Sequence, residues 1–350
     1  MKILVLFVSL FSFFACVQQK DVPIVVEKSN GESVAVSTKI AGANLENPGR
    51  KIQDGGLDDL LDANVGWVAI IPYGYTERGD SKVQFNYNGD QWWGESLEGT
   101  IGLIEIAQKA GLKTMIKPHV WVVGDGWPGD FKLNSDKRWK EWEVSYHTYI
   151  MEHAKVADSL NVDLFCIGTE YRKAVVARKD FWVQLIKDVR EVYSGKLTYA
   201  SNWDNYEAVT FWKDLDFIGI DTYFPLSEKK DLSIDELVGN WEPISNDLKL
   251  FSEKYDRRII FTEYGFKSVD YASAPLYKVD KDSLKPNMNN QVVGYNAFFQ
   301  TVWQQDWMAG GFFWKWHVIG KKGGLDNTRY TPQGKPALDV IRDWYGKVEE

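Results

Sequence analysis

Between Lys39 and Tyr345, short apolar runs with the look of strands alternate with longer segments of helical spacing, and the alternation recurs eight times. The strand-like runs are Ile40–Leu45, Trp67–Pro72, Lys113–Pro118, Val162–Ile167, Lys196–Ser201, Phe217–Ile220, Arg258–Thr262 and Gly310–Trp314. Helices are predicted over Gln53–Asn64, Ser96–Ala110, Arg138–Leu160, Phe181–Tyr193, Ser233–Tyr255 with an interruption near Gly239, Asn290–Trp307 and Pro336–Tyr345. The second of these repeats Ile101, Ile104 and Ile106 or Ala107 on one face and meets Gly111 as a stop. Eight strand-plus-helix units predict a single α/β domain closed into a (β/α)8 TIM barrel, an architecture of about 250 residues or more. An open doubly wound sheet fits less well. Gly42 stands inside the first strand and Gly49 in a loop, so no glycine-rich phosphate turn follows that strand.

The segment before the barrel carries a different signal. Lys2 precedes an almost continuous apolar stretch, Ile3–Phe14, too short for the roughly 20 residues of a spanning helix, and it reads as a signal peptide. Its ending, Phe13-Phe14-Ala15-Cys16, resembles a bacterial lipobox. That resemblance implies removal of residues 1–15 and lipidation of Cys16, with residues 16–38 as a tether and 39–350 as the catalytic domain. The expected location is the bacterial cell envelope, lipid-anchored at the outer membrane; plain secretion is the alternative. Cys166 lies inside an apolar run and is expected as a buried free thiol, leaving the core without a disulfide staple.

In a barrel of this kind the chemistry sits where strands exit at their C-terminal ends. The residues collected there are Asn44, Tyr73, His119, Trp121, Glu170, Asn202, Trp203, Asp221, Tyr223, Glu263, Trp314, Trp316 and His317. Two exits share one form, an apolar run followed by Thr-Glu-Tyr, at Thr169-Glu170-Tyr171 and Thr262-Glu263-Tyr264. A glutamate is costly to bury alone, so two at the ends of hydrophobic strands point to one shared polar site. Paired carboxylates suit cleavage of a glycosidic bond, in which one stays protonated to serve the leaving oxygen. The set lacks the clustered His, Asp and Glu spacing of a dedicated metal site, and neither metal nor cofactor is expected. Tyr223 is placed to donate a hydrogen bond to Glu263, and Trp314 to floor the sugar at the cleaved bond.

Aromatic residues make up 15% of the chain, with 16 Trp, more than core packing alone calls for; Tyr75, Trp92 and Trp93 in the loop after the second strand are candidates for an outlying sugar platform. A net charge of −8 argues against a nucleic-acid partner. His147 and His153 fall mid-helix and are expected to pack or lie on the surface, while Lys173 and Lys315 are candidates for pairing with a glutamate or a sugar hydroxyl.

Four strings, IGTEYRK (Ile167–Lys173), IGIDTYFPL (Ile218–Leu226), FTEYGFKS (Phe261–Ser268) and GFFWKW (Gly311–Trp316), stand in order on the fourth, sixth, seventh and eighth strands. With them the chain resembles glycoside hydrolase family 113, endo-acting β-1,4-mannanases and related enzymes within the retaining (β/α)8 glycoside hydrolases. The resemblance implies Glu170 as acid/base and Glu263 as nucleophile of a double displacement on mannan, glucomannan or galactomannan. Thr169 stands where the wider group usually has Asn, so the usual contact to the sugar 2-hydroxyl must come from elsewhere. The expected partner is a β-mannan chain bound by a monomer, with the membrane met only through the lipid. The alternatives are a non-catalytic surface glycan-binding lipoprotein, a hydrolase of another β-glycan and an exo-acting mannosidase.

Overall fold

A computed structural model describes residues 39–85, 91–124, 126–275, 278–280, 284–320 and 323–348. The leader, Cys16 and the tether lie outside the described residues. Eight parallel strands close a barrel: β1 (Ile40–Glu46), β2 (Trp67–Ile70), β4 (Lys113–Ile116), β6 (Leu164–Thr169), β7 (Lys196–Asn202), β8 (Ile218–Thr222), β9 (Ile259–Tyr264) and β10 (Met308–His317), with β10 returning to β1. All eight expected strands are present, and the closed α/β barrel is the observed architecture.

Two further strands rise above the rim. β3 (Tyr73–Glu77) and β5 (His119–Val123) follow β2 and β4 and pair in parallel, Tyr73 opposite His119 and Tyr75 opposite Trp121. The sequence reading expected a loop here. Pro72 and Pro118 each interrupt a ladder because proline has no N–H to give. The bonds resume beyond them, His119 N donating to Pro72 O at 2.9 Å. The result is a two-stranded wall on one side of the barrel mouth.

The helices are α1 (Asp58–Leu61), α2 (Leu97–Lys109), α3 (Asp136–Ser159), α4 (Arg172–Ala177), α5 (Lys179–Val192), α6 (Ile234–Tyr255), α7 (Met288–Gln300) and α8 (Ala337–Tyr345). Ser96 caps α2 by accepting from Gly99 N at 3.0 Å, and Gly111 follows it with φ +81°. Three expectations need correction. The first helix is only Asp58–Leu61, because Gly55 at φ +82° opens a turn ahead of it. α6 runs unbroken through Gly239 and Pro243, since one helical glycine costs only about 1 kcal/mol and tertiary packing supplies more. α7 stops at Gln300, followed by a 3-10 turn at Val302–Gln304.

The barrel interior is filled in layers. Ile40, Ala69, Met115, Leu164, Ile260, Ala309 and Phe312 form an apolar plug among the earlier strand positions. Later positions on the strands bring in polar groups, Lys117, Asp221 and Thr262, all fully buried. Outside the strands, Trp142, Tyr146, Tyr171, Trp182 and Tyr199 pack edge and face on one another, Trp142 on Tyr146 at 4.8 Å between centroids. Much of the aromatic content is therefore core. Cys166, on β6, is buried near Lys117, its thiol pushed up to about 11 by burial.

Candidate active site

β6 delivers Glu170 to the mouth of the barrel through a tightly packed exit. Gly168 has no room for a side chain: a Cβ there would lie 2.5 Å from the Tyr146 hydroxyl, which donates to Ile167 O. Glu170 then adopts φ +56°, turning the chain off the strand into α4. Its carboxylate accepts from Trp127 Nε1 at 2.6 Å. Burial first, and then the charge of Glu263, raise its pKa to about 7, against the opposing pull of the Trp127 bond and Lys117.

β9 delivers Glu263, whose two oxygens are held by different donors. Lys117 Nζ contacts Oε1, and the Tyr223 hydroxyl donates to Oε2 at 2.8 Å. Burial and the neighbouring Glu263 charge push the Tyr223 phenol well up, so it stays a donor. Lys117 also pairs with Asp221 Oδ1 at 3.2 Å, and Asp221 accepts from Thr262 Oγ1 at 2.7 Å. Burial alone lowers the Lys117 pKa, but the charges of Asp221 and Glu263 outweigh it and push it up. Burial, then the Glu263 charge, raises the Asp221 carboxyl, with Lys117 opposing.

His119 lies parallel to Trp314, 6.2 Å between centroids and 6° between planes, with Nε2 3.7 Å from Glu263 Oε1. Burial, with Lys117 and Lys315 next, holds its pKa well below the usual range and keeps the ring neutral. Its Nε2 is buried with no hydrogen-bond partner among the described residues. Tyr73 meets His119 edge-on at 5.3 Å, and its phenol is raised by burial and by Glu263. The Trp314–Lys315 peptide is cis.

Beside Glu170 a cavity of about 660 Å³ opens between the exits of β6, β7 and β8. Trp127, Asn202, Trp203, Tyr223, Phe224 and Tyr330 line it, with Trp203 packed on Phe224 at 5.5 Å. Arg172 stacks over Trp127 at 4.8 Å and bridges Asp130 and Asp204, each at 3.1 Å. On the other side, Trp92 and Trp121 are exposed, and the Tyr75 hydroxyl donates to Glu95 at 2.6 Å.

Several expected site residues turn out to face the interior. Asn44 is fully buried and donates to Thr262 O and Phe312 O at 3.1 Å, so it ties strands together and cannot reach a ligand. Asp221 is fully buried beneath Glu263 and serves Lys117. Trp316 is buried against Phe313: in a regular strand it would share a face with Trp314, but the register of β10 against β1 shifts between Phe313 and Trp316 and breaks the alternation. Trp93 packs over Gly102 of α2 with its indole N–H buried, which removes it from the platform. Thr169 donates to Pro118 O at 3.2 Å and is buried. Lys173 pairs with Asp130 at 2.7 Å, while Lys315 and His317 both hold Glu46.

Two residues of the site went unread in the sequence. Lys117 was a visible signal, a cation directly after the apolar pair Met115-Ile116 in an expected strand, tolerable in a barrel interior only with a buried carboxylate partner. Trp127 sits in an irregular loop, and nothing local marks it. Among the described residues, no group of three or more His, Cys, Asp or Glu is arranged to hold a metal.

The fold has close counterparts among solved structures. A GH113 β-mannanase from Alicyclobacillus acidocaldarius, in complex with ManMIm, superposes with a TM-score of 0.78 at 23% identity, covering 89% of this chain and 98% of that one. A second GH113 β-1,4-mannanase gives 0.76 at 24% identity, covering 89% and 99%. A Faecalibacterium prausnitzii β-glucuronidase gives 0.61 at 13% identity, covering 89% of this chain but 49% of that one. No curated protein matches the sequence. The sequence profile described as Glycoside Hydrolase Family 113 matches residues 50–335.

Proposed function

The chain belongs to glycoside hydrolase family 113, and from that premise we propose that it is an endo-acting β-1,4-mannanase working by double displacement with retention. One observation carries the assignment of roles. Two glutamates share the barrel mouth in opposite surroundings, Glu170 raised to about 7 and Glu263 gripped by an ammonium and a phenol. Environments that separate two carboxyls in this way assign acid and nucleophile.

In the first step the Glu263 carboxylate attacks the anomeric carbon while the Glu170 proton passes to the departing glycosidic oxygen. A covalent glycosyl ester forms and the aglycone leaves. Esterification removes the Glu263 charge, which is the second-largest cause holding the Glu170 pKa up. Glu170, left as a carboxylate by the first step, stays ionised at its lowered pKa and takes a proton from the water that attacks the anomeric carbon, and the bond to Glu263 breaks to release it as a carboxylate. Trp314, stacked beside His119, offers a flat apolar face to the sugar at the cleaved bond. With Thr169 committed to Pro118, the unpartnered His119 Nε2 is the group we assign to a sugar hydroxyl.

The substrate rests on the family and on the GH113 β-mannanases whose fold the chain shares. Incubation with mannan, glucomannan, galactomannan and xylan, followed by chromatography of the products, tests it. Mixed oligosaccharides released early from the first three are expected; release from xylan alone, or of mannose alone, overturns the specificity or the endo mode. Tight mannan binding without new reducing ends overturns the enzyme reading in favour of a glycan-binding protein.

We extend the proposal to location: the Cys16 lipobox anchors the enzyme to the cell envelope. Cys16→Ser is expected to move it from the membrane to the soluble fraction, and unchanged membrane recovery rejects the anchor.

A further inference from the structure

We propose that Lys117 is the positioning residue of this active site, a fully enclosed ammonium that fixes the Glu263 carboxylate as an anion and sets its orientation. The inference rests on the double-displacement reading above and adds to it the group that makes the nucleophile ready.

The geometry is specific. Lys117 follows the last residue of β4 and reaches inward to Asp221 on β8 and Glu263 on β9. Its ammonium also lies 5.8 Å from the centre of the Trp314 ring. A buried ammonium with no partner is strongly unfavourable, so the barrel tolerates this one only as part of a charged cluster. Asp221 already accepts from Thr262 Oγ1 at 2.7 Å, whereas Glu263 Oε1 has Lys117 as its hydrogen-bond donor among the described residues. With Tyr223 on Oε2, the two bonds leave the carboxylate plane no free rotation.

The groups facing Glu263 explain why Lys117 carries this task. From β3 and β5 come Tyr73 and His119, the first a phenol and the second a neutral imidazole. From the exits of β6 and β8 come Glu170, Asp221 and Tyr223, and Tyr330 approaches from the far side. Cys166 lies close to Lys117 and stays a thiol. Three carboxyls therefore share one mouth, and among the described residues in contact with Glu263 the permanent cation is Lys117. It touches Glu263 but not Glu170, so its charge acts at contact on one glutamate and at a distance on the other. When Glu263 is esterified, Lys117 keeps its charge and its pull on Glu170 persists, which helps keep that residue ionised as the base of the second step.

Service to Glu263 and mere neutralisation of buried Asp221 predict different outcomes in two variants. Lys117→Met keeps most of the unbranched side chain and removes the ammonium and its charge. We expect kcat on mannan oligosaccharides to fall by about 100-fold or more, with KM within about threefold, because the interaction matters most as charge moves. The acid limb of the kcat/KM profile is expected to move up by about one pH unit or more, the effect of losing an adjacent opposite charge. If the single variant fails to fold, Lys117→Met/Asp221→Asn removes both buried charges together and is the better tolerated. The double variant is expected to show the same loss and the same displaced limb. Recovery of wild-type kcat and pH profile in the double variant overturns the proposal, as does an unmoved acid limb in either variant. A 13C titration of the Glu263 carboxyl, assigned through Glu263→Gln, reads the same shift without any substrate. Should wild-type protein hydrolyse no mannan, the titration still decides the role of Lys117, and only the substrate assignment fails.

Discussion

Glu170 holds its carboxylate in a backbone conformation, φ +56°, that side chains other than Gly, Asn and Asp rarely adopt. Such positions cost of order 1–3 kcal/mol and persist where surrounding bonds over-determine them. Here Glu170 N donates to Ala200 O at 2.8 Å, and Tyr171 N to the Tyr199 hydroxyl at 2.9 Å. The conformation turns the carboxylate off the β6 line and toward Trp127. Two predictions belong at this scale. With its pKa raised to about 7, Glu170 is protonated below that value, so kcat/KM is expected to fall as pH rises through about 7. Trp127→Phe deletes a bond that favours the ionised form, and its alkaline limb should lie at higher pH than that of wild type. A pH–rate series on both proteins checks the sign.

Stability gives a second reading of the same carboxyl. The native state binds this proton more tightly than the unfolded chain, where a glutamate titrates near about 4.3. Wild type therefore loses stability as pH climbs from that value to about 7, and Glu170→Gln is spared the loss. The variant should be inactive yet gain in Tm relative to wild type between about pH 5 and 8, a difference that thermal melts at several pH values will show. A constant difference across that range would mean that the carboxyl ionises as freely in the fold as outside it.

At the scale of elements, the exit of β6 depends on what lies behind it. Gly168→Ala drives a methyl into the Tyr146 hydroxyl at 2.5 Å and the Trp182 ring at 3.0 Å. Overpacking of this kind costs about 1–3 kcal/mol, and the shift it forces falls two residues from Glu170, so denaturant midpoints and kcat should both drop. Trp142 is fully buried among Tyr146, Tyr171, Phe131 and Trp182. Trp142→Ala is expected to lose about 3–5 kcal/mol in urea unfolding. The eight barrel strands were legible because each is a local apolar run, whereas β3 and β5 were not. Their prolines read as terminators, and the pairing of Tyr73 with His119 joins segments far apart in the chain. α4 was missed for another reason. Six residues, Arg172–Ala177, are too few to show a helical period.

For the whole molecule, closure of β10 onto β1 is what makes one site of eight exits. Every described residue of the site lies at position 44 or beyond, so protein beginning at Lys39 is expected to fold and hydrolyse mannan at close to the full-length rate. A purified truncation compared by circular dichroism and turnover tests this. Periodicity, the repeated Thr-Glu-Tyr exits and the four strings on the later strands were enough to specify an eight-unit barrel, its two glutamates and its family, because each is written in a few consecutive residues. The inward or outward sense of Asn44, Asp221 and Trp316 was not legible there, since residues at a strand exit divide between core and cleft only once the barrel has closed. Lys117 could be seen as a cation closing a strand, but its partners could not, because they lie 104 and 146 residues away and meet it only across the finished barrel. Charge pairing through a low-dielectric interior depends on distance in space, and that distance belongs to the tertiary structure.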